Sequence, residues 1–170
     1  MPLPSTMTPI ATQTLTASAS SITFSSIPQG YTDLMIVTSA IANVTGADVF
    51  VTTYNGDTAS NYSYTSMYGS GSAAGSYRAS STGIILGWMS TFNSSEWSPS
   101  IFHLMNYSNA TTNKTMLVKS GNATTSGAYV DLSVSLWRSN AAITSINMRT
   151  VNGYGIKAGS SFTLYGIKAA

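Results

Sequence analysis

The chain has 170 residues, of which 43% are hydrophobic and only 7% are charged, and its formal net charge is +2. This length suits one β-sandwich or barrel with a full core and is short for two domains. The seven cationic side chains are scattered, so no basic stripe tracks a phosphate backbone and nucleic acid is a poor partner. The lack of cysteine excludes disulfide frameworks and thiolate metal sites.

The small number of charges also bears on solubility. A free monomer normally relies on surface charge, and typical soluble domains are roughly 25% charged. In this chain Ser and Thr take the place of charged residues. We therefore expect much of the surface to be covered by partners rather than solvated through ions.

Residues 1–20 are rich in Pro, Thr and Ser and are weakly patterned, which predicts an extended N-terminal arm with at most one edge strand at 12–17. The segment has neither the basic nor the apolar region of a signal peptide. No apolar run approaches the roughly 20 residues of a membrane span, so we expect no membrane partner.

Short β-strand patterns follow the arm. Residues 33–42 form an apolar run with β-branched side chains, typical of a buried strand. Residues 48–54 alternate and end in Asn55-Gly56-Asp57, the strongest hairpin signal in the chain. Further strand patterns cover 21–24, 62–68, 83–89, 100–107, 115–119, 128–137, 143–151 and 160–167. About ten short strands joined by turns, without a capped helical period, predict one all-β sandwich or barrel domain over residues 21–170.

The clearest strand lies at 128–137, where apolar and polar side chains alternate strictly. We expect its apolar set to face the core, namely Val130, Leu132, Val134 and Leu136. Apolar side chains of four other strands should join them: Ile36, Phe50, Ile146 and Leu164.

Few residues could carry catalysis. His103 is the only histidine and lies on a predicted strand, where a satisfied or surface histidine is far commoner than a general base. Three of the five acids, Asp33, Asp48 and Asp57, stand at strand starts or turns, where Asp usually forms hydrogen bonds with nearby backbone. The other two, Glu96 and Asp131, are isolated in sequence. We therefore predict no catalytic residue, no metal and no cofactor, and a protein that is not an enzyme.

Aromatic side chains offer one binding hypothesis. Four of them are candidates for stacking on sugar rings: Tyr62, Tyr68, Tyr77 and Trp97. The alternative, which we favour, is that these aromatics fill the core or the contacts between protomers, where a tyrosine ring is buried while its hydroxyl stays paired.

The chain resembles a group of tailed-bacteriophage virion structural proteins. The resemblance spans residues 12 to 168 and depends on the order and spacing of several short motifs. These are Ile22-x-Phe24, Ile27-Pro28-x-x-Tyr31-x-Asp33-Leu34, Asn55-Gly56-Asp57 with Asn61-Tyr62, Trp137, Ala142-Ile143-Thr144-Ser145-Ile146, Gly159-Ser160 and Leu164-Tyr165-Gly166-Ile167. The resemblance implies a jelly-roll-like β-sandwich that serves as capsid decoration (cement) protein or as part of a tail or head fibre. Such proteins usually act as homotrimers, and there are no catalytic residues to carry over.

Two features favour the capsid. The chain has one small domain without coiled-coil heptads, and its arm is suited to reach a neighbouring subunit. We expect a homotrimer on the outer surface of the capsid, bound to the major capsid protein through arm residues Met1, Pro2, Leu3, Pro4, Ile10 and Leu15. The alternative is a fibre receptor-binding module whose aromatics grip host glycans.

Overall fold

The computed structural model describes residues 6–43, 47–85, 92–93, 97–124 and 127–168. These ranges contain fourteen strands, where about ten were expected, and no helix. The strands are β1 (Met7–Thr14), β2 (Ser21–Phe24), β3 (Asp33–Ala40), β4 (Ala47–Asp48), β5 (Phe50–Tyr54), β6 (Tyr62–Gly69), β7 (Ala74–Ser81), β8 (Ile84–Ile85), β9 (Phe92–Asn93), β10 (Ser98–Met105), β11 (Lys114–Thr124), β12 (Gly127–Trp137), β13 (Ile146–Thr150) and β14 (Ser161–Ile167). The all-β prediction is confirmed.

The strands form two main antiparallel sheets, consistent with a β-sandwich. The larger has eight strands in the order β1-β14-β3-β10-β11-β12-β6-β7, and the smaller has four in the order β2-β13-β5-β8. A two-stranded ribbon pairs β4 with β9. No helix in the described part of the chain is long and apolar enough to cross a membrane.

The core lies between the two main sheets. Phe50 of the small sheet packs edge-on against two rings of the large sheet, with centroids 6.3 Å from Phe102 and 5.9 Å from Phe162. The expectation that Ile36, Phe50, Ile146 and Leu164 belong to one core is confirmed, since all four are buried in the same cluster.

The predicted orientation of β12 is wrong by one residue. Val130 and Val134 are 62% and 46% exposed, whereas Asp131 and Ser133 are 2% and 1% exposed. Leu132 is also exposed and Leu136 is only partly buried. A period of two separates two faces of a strand but does not say which face is covered.

Hydrogen bonds stabilise the polar side of β12. Ser133 Oγ donates to Asp131 Oδ1 at 2.5 Å, and Ser66 Oγ lies 2.5 Å from Ser133 Oγ. Asp131 Oδ2 has no hydrogen-bond partner within the described ranges. Burial raises the pKa of Asp131, and the hydrogen bond from Ser133 opposes this shift only in part. The buried side of β12 is thus a hydrogen-bonded polar row rather than an apolar one.

The Asn55-Gly56 turn exists but does not close a hairpin. The Asp57 backbone N donates to the Tyr54 carbonyl at 2.8 Å, and Asn55 and Gly56 have φ angles of 52° and 72°. These left-handed angles are what Asn-Gly favours. However, β5 and β6 belong to different sheets, so the turn begins a crossing between the sheets.

Asp57 ties this crossing to the end of β12. Its Oδ2 accepts hydrogen bonds from Trp137 Nε1 at 2.7 Å and from Asn61 Nδ2 at 2.9 Å. Its carbonyl accepts a hydrogen bond from the Tyr62 hydroxyl at 2.9 Å, and that hydroxyl accepts one from the Tyr54 backbone N at 3.1 Å. The side-chain hydrogen bonds, from Asn61 first and then Trp137, hold the pKa of Asp57 below its usual range. Asp57 thus links β12 through its carboxylate with β6 and β5 through its backbone carbonyl and the Tyr62 hydroxyl.

A glycine on β14 makes room for an aromatic ring. A Cβ placed on Gly166 would lie 2.4 Å from Tyr31 Cγ, which is far inside van der Waals contact. By contrast, a Cβ on Gly30 would meet nothing within 4 Å. Lys168 Nζ lies 5.8 Å from the centroid of the Tyr31 ring. The absence of a side chain at position 166 is therefore what lets Tyr31 pack on the sheet.

Candidate functional site

The surface best suited to contact another molecule is the outer face of the eight-stranded sheet, which is turned away from the four-stranded sheet. Directly paired residues in antiparallel strands point to the same side, so the register defines rows across the sheet. One row crosses five strands from β3 to β6 and contains Val37, Ile101, Lys119, Leu132 and Met67. Four of its five side chains are apolar.

The neighbouring row has a similar character. It runs through the same five strands as Met35, His103, Leu117, Val134 and Thr65. The two rows lie side by side on one face, because residues two apart on a strand point the same way. Together they form an apolar band across the middle of the large sheet.

This band is open to solvent. Met67 is 57% exposed and Ile101 is 40% exposed, and Val37 and Leu132 are also classed as exposed. With strands about 4.8 Å apart and about 3.4 Å per residue, five strands over the four residues that the two rows occupy give a projected area of roughly 330 Å². Patches of about this size on monomers often mark interaction sites. We call the apolar side chains of these two rows, with Val130, the outer apolar patch.

Within the band itself the charges are few, although Arg78 on β7 continues the row of Val134 and Thr65. Lys119 lies within the patch, in the row of Leu132. At the margin, His103 Nε2 lies 3.0 Å from Asp33 Oδ2, and Asp33 Oδ1 accepts a hydrogen bond from the Asn106 backbone N at 2.7 Å. His103 is therefore held by a carboxylate. A surface with so little charge can be buried without a large cost of ion desolvation.

The four candidate glycan-binding aromatics do not form one groove. Tyr62 is buried in the core, where its ring stacks on Trp137 at 6.3 Å and 14°. Tyr68 and Tyr77 are neighbours on β6 and β7, with centroids 6.4 Å apart. Trp97 is 47% exposed and precedes β10, which β11 and β12 separate from β6. The structure brings together only the pair Tyr68 and Tyr77.

The arm residues are partly incorporated into the fold. Residues 7–14 form β1, an edge strand paired with β14 with a register shift between Pro9 and Ala11. Ile10 and Leu15 are partly buried and pack against the core. The other four arm candidates lie outside the described residues: Met1, Pro2, Leu3 and Pro4.

The described residues offer no metal centre. Within them, no group of three or more His, Cys, Asp or Glu side chains is placed to hold a metal ion. Asp48, a buried acid, accepts hydrogen bonds from the backbone N of Val49 at 2.8 Å and from Asn152 at 3.2 Å. All three hydrogen bonds are accepted by Asp48 Oδ1, and Oδ2 has no hydrogen-bond partner among the described residues.

The outer apolar patch is the feature that the sequence prediction missed. Its signal was present, since the alternation of Val130, Leu132 and Val134 marks an apolar side of β12. The pattern does not show which face of β12 is covered by the second sheet, because this depends on the order of strands in both sheets.

Comparisons with known proteins give no relative. No protein-family model, curated protein or solved structure matches the chain.

Proposed function

We propose that the protein is a virion structural protein, a capsid decoration protein that binds the outside of the shell and stabilises it. The observation that carries this proposal is the outer apolar patch on the large sheet. Contiguous apolar patches of a few hundred Å² on soluble proteins are often interaction sites. A lattice of repeated subunits is a partner that would cover such a sheet face.

The area of the patch favours binding through several copies. A standard stable interface buries about 800 Å² per partner, more than the roughly 330 Å² of the band that holds the patch. In a homotrimer, three patches would engage the lattice at once, and such linkage raises overall affinity by about 10²- to 10⁴-fold without new contacts. The trimer and the major capsid protein as its partner are parts of the same proposal.

The phage assignment and the jelly-roll-like topology come from the sequence resemblance. The path of the chain supports the topology, because it passes repeatedly between sheets: β1, β3, β6 and β14 lie in the large sheet, whereas β2, β5 and β13 lie in the small one. Strands that alternate between two packed sheets are characteristic of Greek-key and jelly-roll sandwiches.

The receptor-binding alternative requires the three tyrosines and Trp97 to line one groove, and they do not. Tyr62 is committed to the core, where burial raises its pKa to about 12. The placement of the aromatics therefore favours the decoration role over glycan stacking by these four side chains.

Two experiments test the proposal. Cryo-electron microscopy of particles that carry the protein should place it on the shell, in copies that scale with the lattice. In a binding assay with shells, Val134→Lys should weaken binding by at least about tenfold, since it puts a charge in the patch, where an unpaired ion is costly to bury. Tyr154→Lys is the matched control, because Tyr154 is an exposed hydrophobic residue outside the large sheet.

Both variants should keep the thermal midpoint of the wild type, because both side chains are exposed. A few copies at the tail, or shell binding by Val134→Lys equal to that of the wild type, would contradict the proposal.

A further inference from the structure

A groove that adjoins the outer apolar patch, and shares Val134 with it, lies at the β6–β7 end of the outer face. Its volume is about 550 Å³, within the range of about 300–1,000 Å³ typical of small-ligand pockets. Two arginines line it, Arg78 on β7 and Arg138 directly after β12. Hydroxyl side chains line the same groove: Ser63, Thr65 and Ser80. Both arginines are exposed.

The register explains why these side chains converge. Arg78 is paired with Thr65 and Ser80 with Ser63, so all four point to the outer face in two adjacent rows. Arg138 is positioned by two contacts: its backbone N donates to the Asn61 carbonyl at 2.8 Å, and its Nη2 donates to Ser63 Oγ at 2.9 Å. The second guanidinium is thereby held over the same hydroxyls.

The positive charge of the groove is not neutralised by the described side chains. The ion pair found among them joins His103 and Asp33, on β10 and β3, away from the groove. Asp131 points to the opposite face of the sheet, and Asp57 accepts hydrogen bonds from Trp137 and Asn61. Two arginines without a carboxylate partner are a natural receptor for an anion.

We propose that this groove binds an anionic saccharide, with the oxyanion held by Arg78 and Arg138. The planar guanidinium matches a carboxylate, sulfate or phosphate group through paired hydrogen bonds. The hydroxyls of Ser63, Thr65 and Ser80 can both donate and accept, which suits a body rich in hydroxyl groups. Val134 is the one exposed apolar side chain of the lining, so an apolar ligand would find little surface to contact.

This inference goes beyond the proposed function, because decoration of a shell requires no small ligand. It also uses different side chains from the tyrosines and Trp97 of the receptor-binding alternative. The activity would be recognition of an acidic sugar by the free protein, because a shell that covered the outer apolar patch would also cover Val134 at the edge of the groove.

The test is calorimetric titration of the purified protein with glucuronate and with glucose, which differ by the carboxylate. We expect glucuronate to bind and glucose to bind at least about tenfold more weakly. Titrations with glucose 6-sulfate and glucose 6-phosphate identify which oxyanion the groove prefers. Equal affinity for glucose and glucuronate, or no binding of any of the three anionic sugars at millimolar concentration, would overturn the proposal.

Variants locate the site. Arg78→Gln and Arg138→Gln should each weaken binding of the preferred anionic sugar by about tenfold or more, which corresponds to about 1.4 kcal/mol or more. Arg149→Gln is the matched control, since Arg149 is an exposed arginine on β13 of the other sheet and should leave binding unchanged. Arg138→Gln also loses the hydrogen bond to Ser63, so thermal unfolding must show that each variant is folded.

Unchanged sugar binding in both groove variants would refute the assignment. The same variants should bind shells as the wild type does. Failure of the groove therefore leaves the decoration proposal standing, and failure of shell binding leaves the groove standing.

Discussion

Replacement of Asp57 by Ala is expected to destabilise the protein by about 1–3 kcal/mol, the usual cost of a buried donor left unpaired. The donor concerned is Trp137 Nε1, because Trp137 is 3% exposed and its nitrogen donates to Asp57 Oδ2 at 2.7 Å. The backbone N of Ala59 and the Asn61 side chain also donate to this carboxylate. Both lie nearer the solvent, so water replaces their lost acceptor and they add little.

A double-mutant cycle isolates the contact with the indole. Asp57→Ala, Trp137→Phe and the double variant are unfolded with urea, and the three free energies are compared with that of the wild type. If this hydrogen bond stabilises the fold, the double variant will lose less unfolding free energy than the sum of the two single losses, by about 1 kcal/mol or more. If the two losses add within about 0.5 kcal/mol, Asp57 and Trp137 do not interact directly, and this explanation of their stabilising effect is refuted.

The same carboxylate predicts a pH dependence. Hydrogen bonds in the folded state lower the pKa of Asp57 relative to the unfolded chain. Its contribution to stability is therefore complete above the unfolded value of about 3.9 and is lost as the pH falls through the lower folded value. Unfolding measured between pH 3 and pH 6 should show this loss in the wild type and a weaker one in Asp57→Asn. Parallel curves would contradict the assignment.

Three further results follow from burial, close contacts and charge. Leu164→Ala should cost about 2–5 kcal/mol in unfolding free energy because Leu164 is 1% exposed. Leu132→Ala should cost less than about 1 kcal/mol in the isolated chain. Equal costs would contradict the observed orientation of β12. Gly166→Ala should lower the thermal midpoint through its clash with an aromatic ring, while Gly30→Ala, with open space around it, should not. Asp131→Asn should raise stability at neutral pH, and the gain should vanish below the unfolded carboxyl pKa of about 3.9, where Asp131 is neutral in both states; a gain that persists at pH 3 would exclude ionisation as its cause.

Part of this structure follows from local pattern. The β-branched run at 33–42 and the Asn-Gly turn were found in sequence because propensity and turn chemistry act over a few residues. Core membership of Ile36 and Leu164 was also predictable, since both lie in apolar segments.

The remaining features depend on contacts between residues that are far apart in the sequence. Asp57 meets Trp137 across 80 residues, and Arg78 joins Arg138 in one groove only because β7, β6 and β12 are neighbours in the large sheet. The orientation of β12 likewise depends on which sheet covers it. All three features depend on the order of strands in the sheets, which a short stretch of sequence does not show.

The polarity of β12 has a consequence for how the chain folds. A slip of one residue against its neighbours would turn Val130, Leu132 and Val134 inward, and burial of each such side chain is worth about 1.5–3 kcal/mol. The same slip would turn the buried Trp137 outward, which offsets part of this gain. The native pairing is favoured by the hydrogen bond between Ser66 and Ser133, which joins β6 to β12 and forms only when these two strands are aligned. If a partner covers the outer apolar patch, as we propose, Val130, Leu132 and Val134 are buried in the native alignment as well, so binding would favour that alignment.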